Sequence, residues 1–79
     1  MIERGAIVDL LVRDGESLVL TEHQCLRLSG VPTAIIEFLA RPRQYAEVES
    51  HVAAVFGPPP EGRLDAVLAE LAAPGLVTF

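Results

Sequence analysis

Residues 6–28 read AIVDLLVRDGESLVLTEHQCLRL, and this stretch decides the fold that the sequence predicts. Residues 6–12, 17–21 and 24–28 are rich in branched apolar side chains, which favours β-strands. The intervening residues 13–16 (RDGE) contain Asp-Gly, a dipeptide that supplies the positive φ angles of tight hairpin turns. The sequence therefore predicts a three-stranded antiparallel meander.

The third predicted strand, residues 24–28, alternates in polarity. Cys25 and Arg27 share one face of the strand, while Gln24, Leu26 and Leu28 share the other. Because Cys is among the most often buried residue types, we expect Cys25 to pack in the core or in a groove. As the last strand of a meander, this strand is expected at a sheet edge with unpaired backbone groups.

Three amphipathic helices are predicted after the strands, so the expected fold class is α+β, a winged helix-turn-helix-like arrangement of a three-stranded antiparallel sheet followed by a three-helix bundle. The first helix has Ser29 as its N-cap and Pro32 in its first turn, and it ends at residues 41–42. The second spans about residues 45–56, and the third begins at about residue 61, with Gly62 in its first turn, and ends at residue 71 or 73. The expected inward stripes are Val31, Ala34, Ile35, Phe38 and Leu39, then Tyr45, Val48, Val52, Val55 and Phe56, then Leu64, Val67, Leu68 and Leu71.

Composition limits the class of protein. A chain of 79 residues has room for one domain, residues 1–79, and its 51% hydrophobic but only 5% aromatic content predicts an aliphatic core. The net charge of −5 opposes binding to nucleic-acid phosphates. Because no signal-peptide pattern and no apolar run of about 20 residues is present, we expect a cytoplasmic protein with no membrane partner.

The sequence offers no persuasive catalytic or metal constellation. His23 and His51, with the single Cys25, lack the ligand number and spacing of a zinc site, and we expect His23 in a loop and His51 on a helix surface. Cys25 has no evident base and orienting acid, as a catalytic thiol needs. We therefore expect no enzymatic activity, no cofactor and no metal.

Winged helix-turn-helix domains that bind DNA share this order of elements. A DNA-reading helix needs exposed Arg, Lys, Asn or Gln, and the third helix offers only Arg63 beside Glu61, Asp65 and Glu70. A DNA-binding regulator therefore stays an alternative, as does a protein–protein adaptor domain. Residues 76–79 (LVTF) fit a short tail strand or an apolar tuck over the core equally well.

From about residue 7 to residue 77, the chain resembles the PqqD-like proteins. These are the peptide-recognition elements (RiPP recognition elements) of pathways that make ribosomally synthesised peptide natural products. The resemblance rests on residues 26–29 (LRLS), 34–39 (AIIEFL), 43–48 (RQYAEV) and 67–77 (VLAELAAPGLV). The chain departs from the family at three positions. Ser29 replaces the usual Asn, Gln44 replaces the usual Thr or Ser, and Arg63 replaces a residue that is commonly acidic.

The resemblance implies a three-stranded wing on a three-helix bundle, and a precursor leader peptide that adds as a strand beside the third strand. It implies partners of two kinds: the leader peptide, and a separately encoded modifying enzyme or leader protease. The pathway could be of the lasso-peptide type or equally one with a radical enzyme or a cyclase. A homodimer through the exposed edge stays open. A proline at Leu26 is expected to abolish binding if the Leu26 N–H faces the leader. The implied peptide-binding residues are Cys25, Leu26, Arg27, Leu28, Arg63, Leu64, Val67 and Glu70.

Overall fold

Asp14 and Gly15 form the two-residue turn of the first hairpin, with φ angles of 53° and 76°. Two positive φ angles are typical of a type I′ turn, whose twist matches that of the flanking strands. This computed structural model describes residues 1–79. Its elements are β1 (Glu3–Arg4), β2 (Asp9–Arg13), β3 (Glu16–Leu20), β4 (Cys25–Ser29), α1 (Val31–Phe38), α2 (Tyr45–Phe56), α3 (Arg63–Ala72) and β5 (Val77–Thr78).

The predicted three-stranded antiparallel sheet is confirmed, in the order β2-β3-β4, so β4 lies at an edge. The first strand begins at Asp9 rather than at residue 6. Val8 donates its N–H to the Leu20 carbonyl at 2.7 Å, although Leu20 already faces Asp9 in the ladder. Two residues of one strand thus oppose one residue of the other, which bends the chain and ends the regular ladder.

A second, two-stranded sheet pairs β1 with β5, and the sequence analysis predicted only the three-stranded meander. Residues 76–79 fulfil both expectations, because Val77–Thr78 is a strand while Leu76 and Val77 are buried. Gly5 donates its N–H to the Leu76 carbonyl at 2.9 Å, and a Cβ at Gly5 would overlap the Gly75 carbonyl oxygen. The strands-then-helices order is therefore only partly matched, and the C-terminal residues leave β4 uncovered.

The helix starts differ from the expectations at two points. Ser29 is the last residue of β4, opposite Glu16, and the N-cap of α1 is Gly30 with a φ of 67°. The Ser29 cap is therefore wrong, because a glycine with positive φ is what turns the chain from strand into helix. Gly62 likewise precedes α3 as its N-cap, rather than lying within its first turn. The predicted bounds of α2 are confirmed.

A core of thirteen apolar residues joins the sheet, the three helices and both chain ends. All four residues of the predicted α3 stripe are buried, as expected. In α2 only Val48 and Val52 are buried, while Tyr45, Val55 and Phe56 are exposed. That stripe was predicted too long, because α2 packs mainly on α1 and only its middle turns reach the core.

The helix α1 is more deeply buried than its predicted stripe implied, since Ile36 and Thr33 are also inside. The Thr33 hydroxyl lies 3.0 Å from the Ser17 hydroxyl, and both residues are buried. This hydrogen bond ties β3 to α1 inside an otherwise apolar core. None of the helices is long and apolar enough to cross a membrane.

Candidate functional site

The candidate site begins with the open edge of β4, which pairs only with β3. Two hydrogen bonds flank their ladder: Thr21 N–H to the Gln24 carbonyl at 2.9 Å, and Gly30 N–H to the Gly15 carbonyl at 3.2 Å. Hydrogen-bonded and non-hydrogen-bonded pairs alternate along an antiparallel ladder. Leu26 and Leu28, two and four positions beyond Gln24, therefore exchange their bonds with β3.

The same alternation directs the backbone groups of Cys25, Arg27 and Ser29 away from β3. Three N–H groups and three carbonyls thus line the open edge. Because the Leu26 N–H points to β3, a proline at Leu26 would break the sheet itself. Arg27 is the position at which proline removes an outward donor and leaves the ladder intact.

The side chains of β4 divide between the two faces of the sheet as predicted. Leu26 and Leu28 are half-buried and pack against the core. Cys25 is exposed and lines none of the clefts described, so the expectation that it packs in the core or in a groove is wrong. On this outer face the Arg27 guanidinium donates to the Glu16 carboxylate at 2.7 Å.

Three of the four predicted α3 residues, Arg63, Leu64 and Val67, line a cleft of about 190 Å³. Val31 lines the same cleft and follows the end of β4 by two residues, whereas no residue of β4 itself lines the cleft. The helix α1, which Val31 opens, contacts both β4 and α3. The remaining wall comes from the end of α2 and the loop after it, through Val52, Phe56, Gly57, Pro58, Pro59 and Pro60.

Glu70 is exposed and does not line this cleft. It lies three and seven positions after Val67 and Arg63, which places all three on one stripe of the helix. Glu70, predicted as part of the groove wall, therefore lies outside the cleft, further along α3.

The sequence reasoning missed Val31, Phe56 and the proline loop as parts of the site. Val31 and Phe56 were assigned to the core, yet Phe56 is 47% exposed. A signal was present in the sequence, since an aromatic residue followed by Gly57 and three prolines indicates a rigid apolar segment whose prolines have no N–H to satisfy.

Arginine side chains elsewhere are largely engaged within the chain. The Arg4 Nε donates to the Ile36 carbonyl at 2.8 Å. The Arg43 guanidinium lies 4.2 Å from the centre of the Phe38 ring and 3.6 Å from the Glu47 carboxylate. Arg63 has no salt bridge and is the basic residue at the cleft.

Two aromatic contacts were not anticipated. His51, expected on the helix surface, is half-buried and stacks on Phe38 with ring centres 4.1 Å apart. Tyr45 donates its hydroxyl to the Asp65 carboxylate at 2.8 Å, which joins α2 to α3. That hydrogen bond raises the pKa of Tyr45 above its ordinary value of 10.0, with smaller contributions from desolvation and from nearby carboxylates.

The His, Cys, Asp and Glu side chains do not form a group of three or more that could hold a metal ion. Comparison of the chain with protein-family models, with curated proteins and with solved structures finds no match.

Proposed function

We propose that this chain binds the leader region of a ribosomally synthesised precursor peptide and presents it to a separately encoded modifying enzyme or leader protease. In this proposal the domain is a winged helix-turn-helix-like, PqqD-like recognition element, and it catalyses no reaction itself. The observation that carries the proposal is the open β4 edge. A cleft at α3 adds to it, because Val31, two residues beyond the end of β4, is one of its lining residues.

The outward backbone groups of Cys25, Arg27 and Ser29 supply the affinity in this proposal. An added strand forms main-chain hydrogen bonds with such an edge, and these tolerate many sequences. A five-residue strand buries little area, so the complex falls in the small, transient class of interfaces, below about 1,200 Å² in total.

Selectivity in this proposal comes from the side chains of the guest strand. Alternate residues of an added strand point to opposite faces of the sheet. One set meets the half-buried Leu26 and Leu28, and a residue near the end of β4 reaches the apolar cleft at Val31 and Val67. The exposed guanidinium of Arg63 at the same cleft favours an acidic residue in the guest at that end.

The placement of charge favours a peptide over DNA as the partner. The exposed surface of α3 carries Asp65 and Glu70 against the single basic Arg63. Duplex affinity depends on several Lys or Arg side chains that displace counterions from phosphates. A short duplex, titrated at low and at high salt, is therefore the negative control for peptide binding.

The test uses peptides displayed on phage, long enough to span β4 and random in sequence. Selected peptides are titrated against the wild type, Arg27→Ala and Arg27→Pro. The alanine variant keeps the outward N–H and loses the side chain, whereas the proline variant loses both. We expect the proline variant alone to lose at least about tenfold in affinity, the equivalent of one strong hydrogen bond. Equal binding by all three folded proteins would contradict strand addition.

The second probe is the N-terminal leader of each short peptide encoded by the open reading frames that neighbour the gene of this chain. A scrambled peptide of the same composition is its matched control. Tight binding of the leader and weak binding of the scrambled peptide would support leader recognition. Equal binding of the two would contradict it, even if strand addition itself is correct.

A further inference from the structure

The strand β2 forms the other edge of the three-stranded sheet. Arg13 and Glu16 flank the two-residue turn and are therefore a hydrogen-bonded pair. By alternation Asp9, Leu11 and Arg13 bond to β3, and Leu10 and Val12 direct their backbone groups outward. An independent contact agrees: the Leu10 N–H donates to the Asp9 carboxylate at 2.9 Å rather than to β3.

This second edge exposes apolar side chains between a charged residue at each end, with the bulge at Val8 and Asp9 before it. Leu11 is 62% exposed and Val12 is 38% exposed, and β2 contains no proline or lysine. Edge strands in single-chain proteins are usually blunted by such residues, because an open apolar edge pairs with other strands.

The sequence of β2, DLLVR, is complementary to itself when read antiparallel. Pairing about Leu11 sets Asp9 opposite Arg13 of the second copy, Leu10 opposite Val12, and Leu11 opposite Leu11. In this register the outward residues Leu10 and Val12 form the hydrogen-bonded pairs, as an antiparallel ladder requires. If the second copy is shifted by one residue along β2, an outward backbone group of one strand faces an inward group of the other and the ladder bonds cannot form. If it is shifted by two residues, Leu11 lies opposite Asp9 or Arg13 of the second copy.

We propose that two copies of this chain associate through β2 about a two-fold axis at Leu11, joining two three-stranded sheets into one continuous sheet of six strands. Two cross-strand ion pairs, Asp9 with Arg13 of the second copy and the reverse, close the two ends of the shared ladder. The Leu10 N–H passes from the Asp9 carboxylate to a carbonyl of the second copy, which frees Asp9 for Arg13. Arg13 is available, because its contact with Asp14 is 4.0 Å long and both side chains are about nine-tenths exposed.

The other edge does not favour the same pairing. A two-fold axis at the centre of β4 sets Arg27 opposite Arg27 of the second copy, and like charges directly opposite each other repel. In the dimer through β2, a β4 strand lies at each outer edge of the six-stranded sheet. In the proposed dimer, self-association and peptide capture therefore use different edges.

The interface is small, five residues of strand from each copy. Exposed ion pairs add little affinity, so their role is to select the register. We expect a reversible dimer with an affinity between about 1 µM and 1 mM.

Sedimentation equilibrium of charge-reversal variants tests the proposal. Asp9→Arg sets like charges at both end pairs, and so does Arg13→Asp, so each variant alone is expected to dimerise about tenfold more weakly than the wild type. An equimolar mixture of the two variants pairs opposite charges again and is expected to regain wild-type association. A wild type that is monomeric at millimolar concentration, or variants that dimerise as tightly as the wild type, would overturn the proposal.

Crosslinking in a Cys25→Ser background gives a second readout that does not depend on charge. Leu11→Cys places two thiols across the two-fold axis, at the spacing of a non-hydrogen-bonded pair, and is expected to oxidise to a covalent dimer. Leu20→Cys, an exposed position on β3, is the matched control and is expected to stay monomeric. Equal crosslinking of the two would overturn the proposal.

Arg27→Pro is expected to dimerise normally, because its substitution lies on β4 and not on β2. This variant separates the test of dimerisation from the test of peptide binding.

Discussion

Thr21 and Gln24 close the turn between β3 and β4 through a hydrogen bond of 2.9 Å from the Thr21 N–H to the Gln24 carbonyl. The Thr21 hydroxyl also accepts from the Gln24 N–H at 3.1 Å, which holds the turn in one conformation. Because ladder bonds alternate, this turn fixes which amides of β4 face β3 and which face solvent. Leu26 belongs to the first set and Arg27 to the second.

Proline substitutions at these two neighbouring positions are expected to destabilise the fold to different extents. Leu26→Pro removes a ladder bond and leaves the carbonyl of the buried Val19 without its partner, which costs about 1–3 kcal/mol of unfolding free energy. Arg27→Pro removes an outward N–H and a surface ion pair, which together cost about 1 kcal/mol or less. Urea denaturation measures both, with Arg27→Ala as the control for the side chain. Equal destabilisation by the two prolines would contradict the assignment of the Leu26 N–H to the ladder with β3 and of the Arg27 N–H to the open edge.

Reversing the charge of Arg63 is expected to change which peptides bind. Arg63→Glu should weaken binding of a peptide with an acidic residue near the cleft by roughly tenfold at low salt and strengthen binding of the corresponding basic peptide. Arg41→Glu makes the same change of charge at an exposed arginine outside the cleft and serves as the control. If both variants respond alike to the two peptides, net charge rather than Arg63 determines the preference.

The buried pair Ser17 and Thr33 is expected to stabilise the contact between sheet and helix. Ser17→Ala leaves the Thr33 hydroxyl buried without a partner, which is expected to cost about 1–3 kcal/mol. Thr33→Val in the same chain removes the orphaned hydroxyl, so the double variant should be less destabilised than the sum of the two single ones. Thermal unfolding of the four proteins measures this coupling, and strict additivity would show that the hydroxyls do not interact.

The contact between Tyr45 and Asp65 is directly observable, because the chain has one tyrosine and no tryptophan. Absorbance of tyrosinate near 295 nm therefore reports Tyr45 alone. We expect a titration midpoint above 10.0 in the wild type and a midpoint nearer to 10.0 in Asp65→Ala. Identical midpoints in the two folded proteins would remove Asp65 as the cause.

The raised pKa of Tyr45 makes the stability of the folded chain depend on pH. A raised pKa means that the folded chain holds the phenolic proton more tightly than the unfolded chain. The stabilisation from this contact is therefore fully present below about pH 10 and is lost as the pH rises through the folded pKa. Asp65→Ala should flatten this part of the stability profile.

Local sequence signals predicted the elements that depend on local chemistry. Asp14-Gly15 predicted the hairpin turn, and the spacing from Leu64 to Leu71 predicted the buried face of α3. The paired strands β1 and β5 escaped prediction, because two residues each carry no periodicity and their pairing joins distant parts of the chain. Ser29 was misassigned because a serine three residues before a proline resembles a cap, while Gly30 supplies the turn.

The sequence named some residues of the candidate site, such as Arg63, Leu64 and Val67, but not its geometry. Alternation assigned Leu26 and Arg27 to opposite faces, since a period of two is visible in the residues themselves. The direction of each amide is not, because it depends on the turn at Thr21 and Gln24. Likewise, the exposure of Cys25 depends on which face of the sheet the helices cover, and Phe56 enters the cleft only through the path of the proline loop.

Amide hydrogen exchange on the labelled chain tests the central claim most directly, with and without a peptide selected for binding. The account predicts that the amides of Cys25, Arg27 and Ser29 exchange rapidly in the free chain and become protected when the peptide is bound. The amides of Leu26 and Leu28 should be protected in both states. Rapid exchange at Cys25, Arg27 and Ser29 in the saturated complex would contradict the addition of a guest strand to β4.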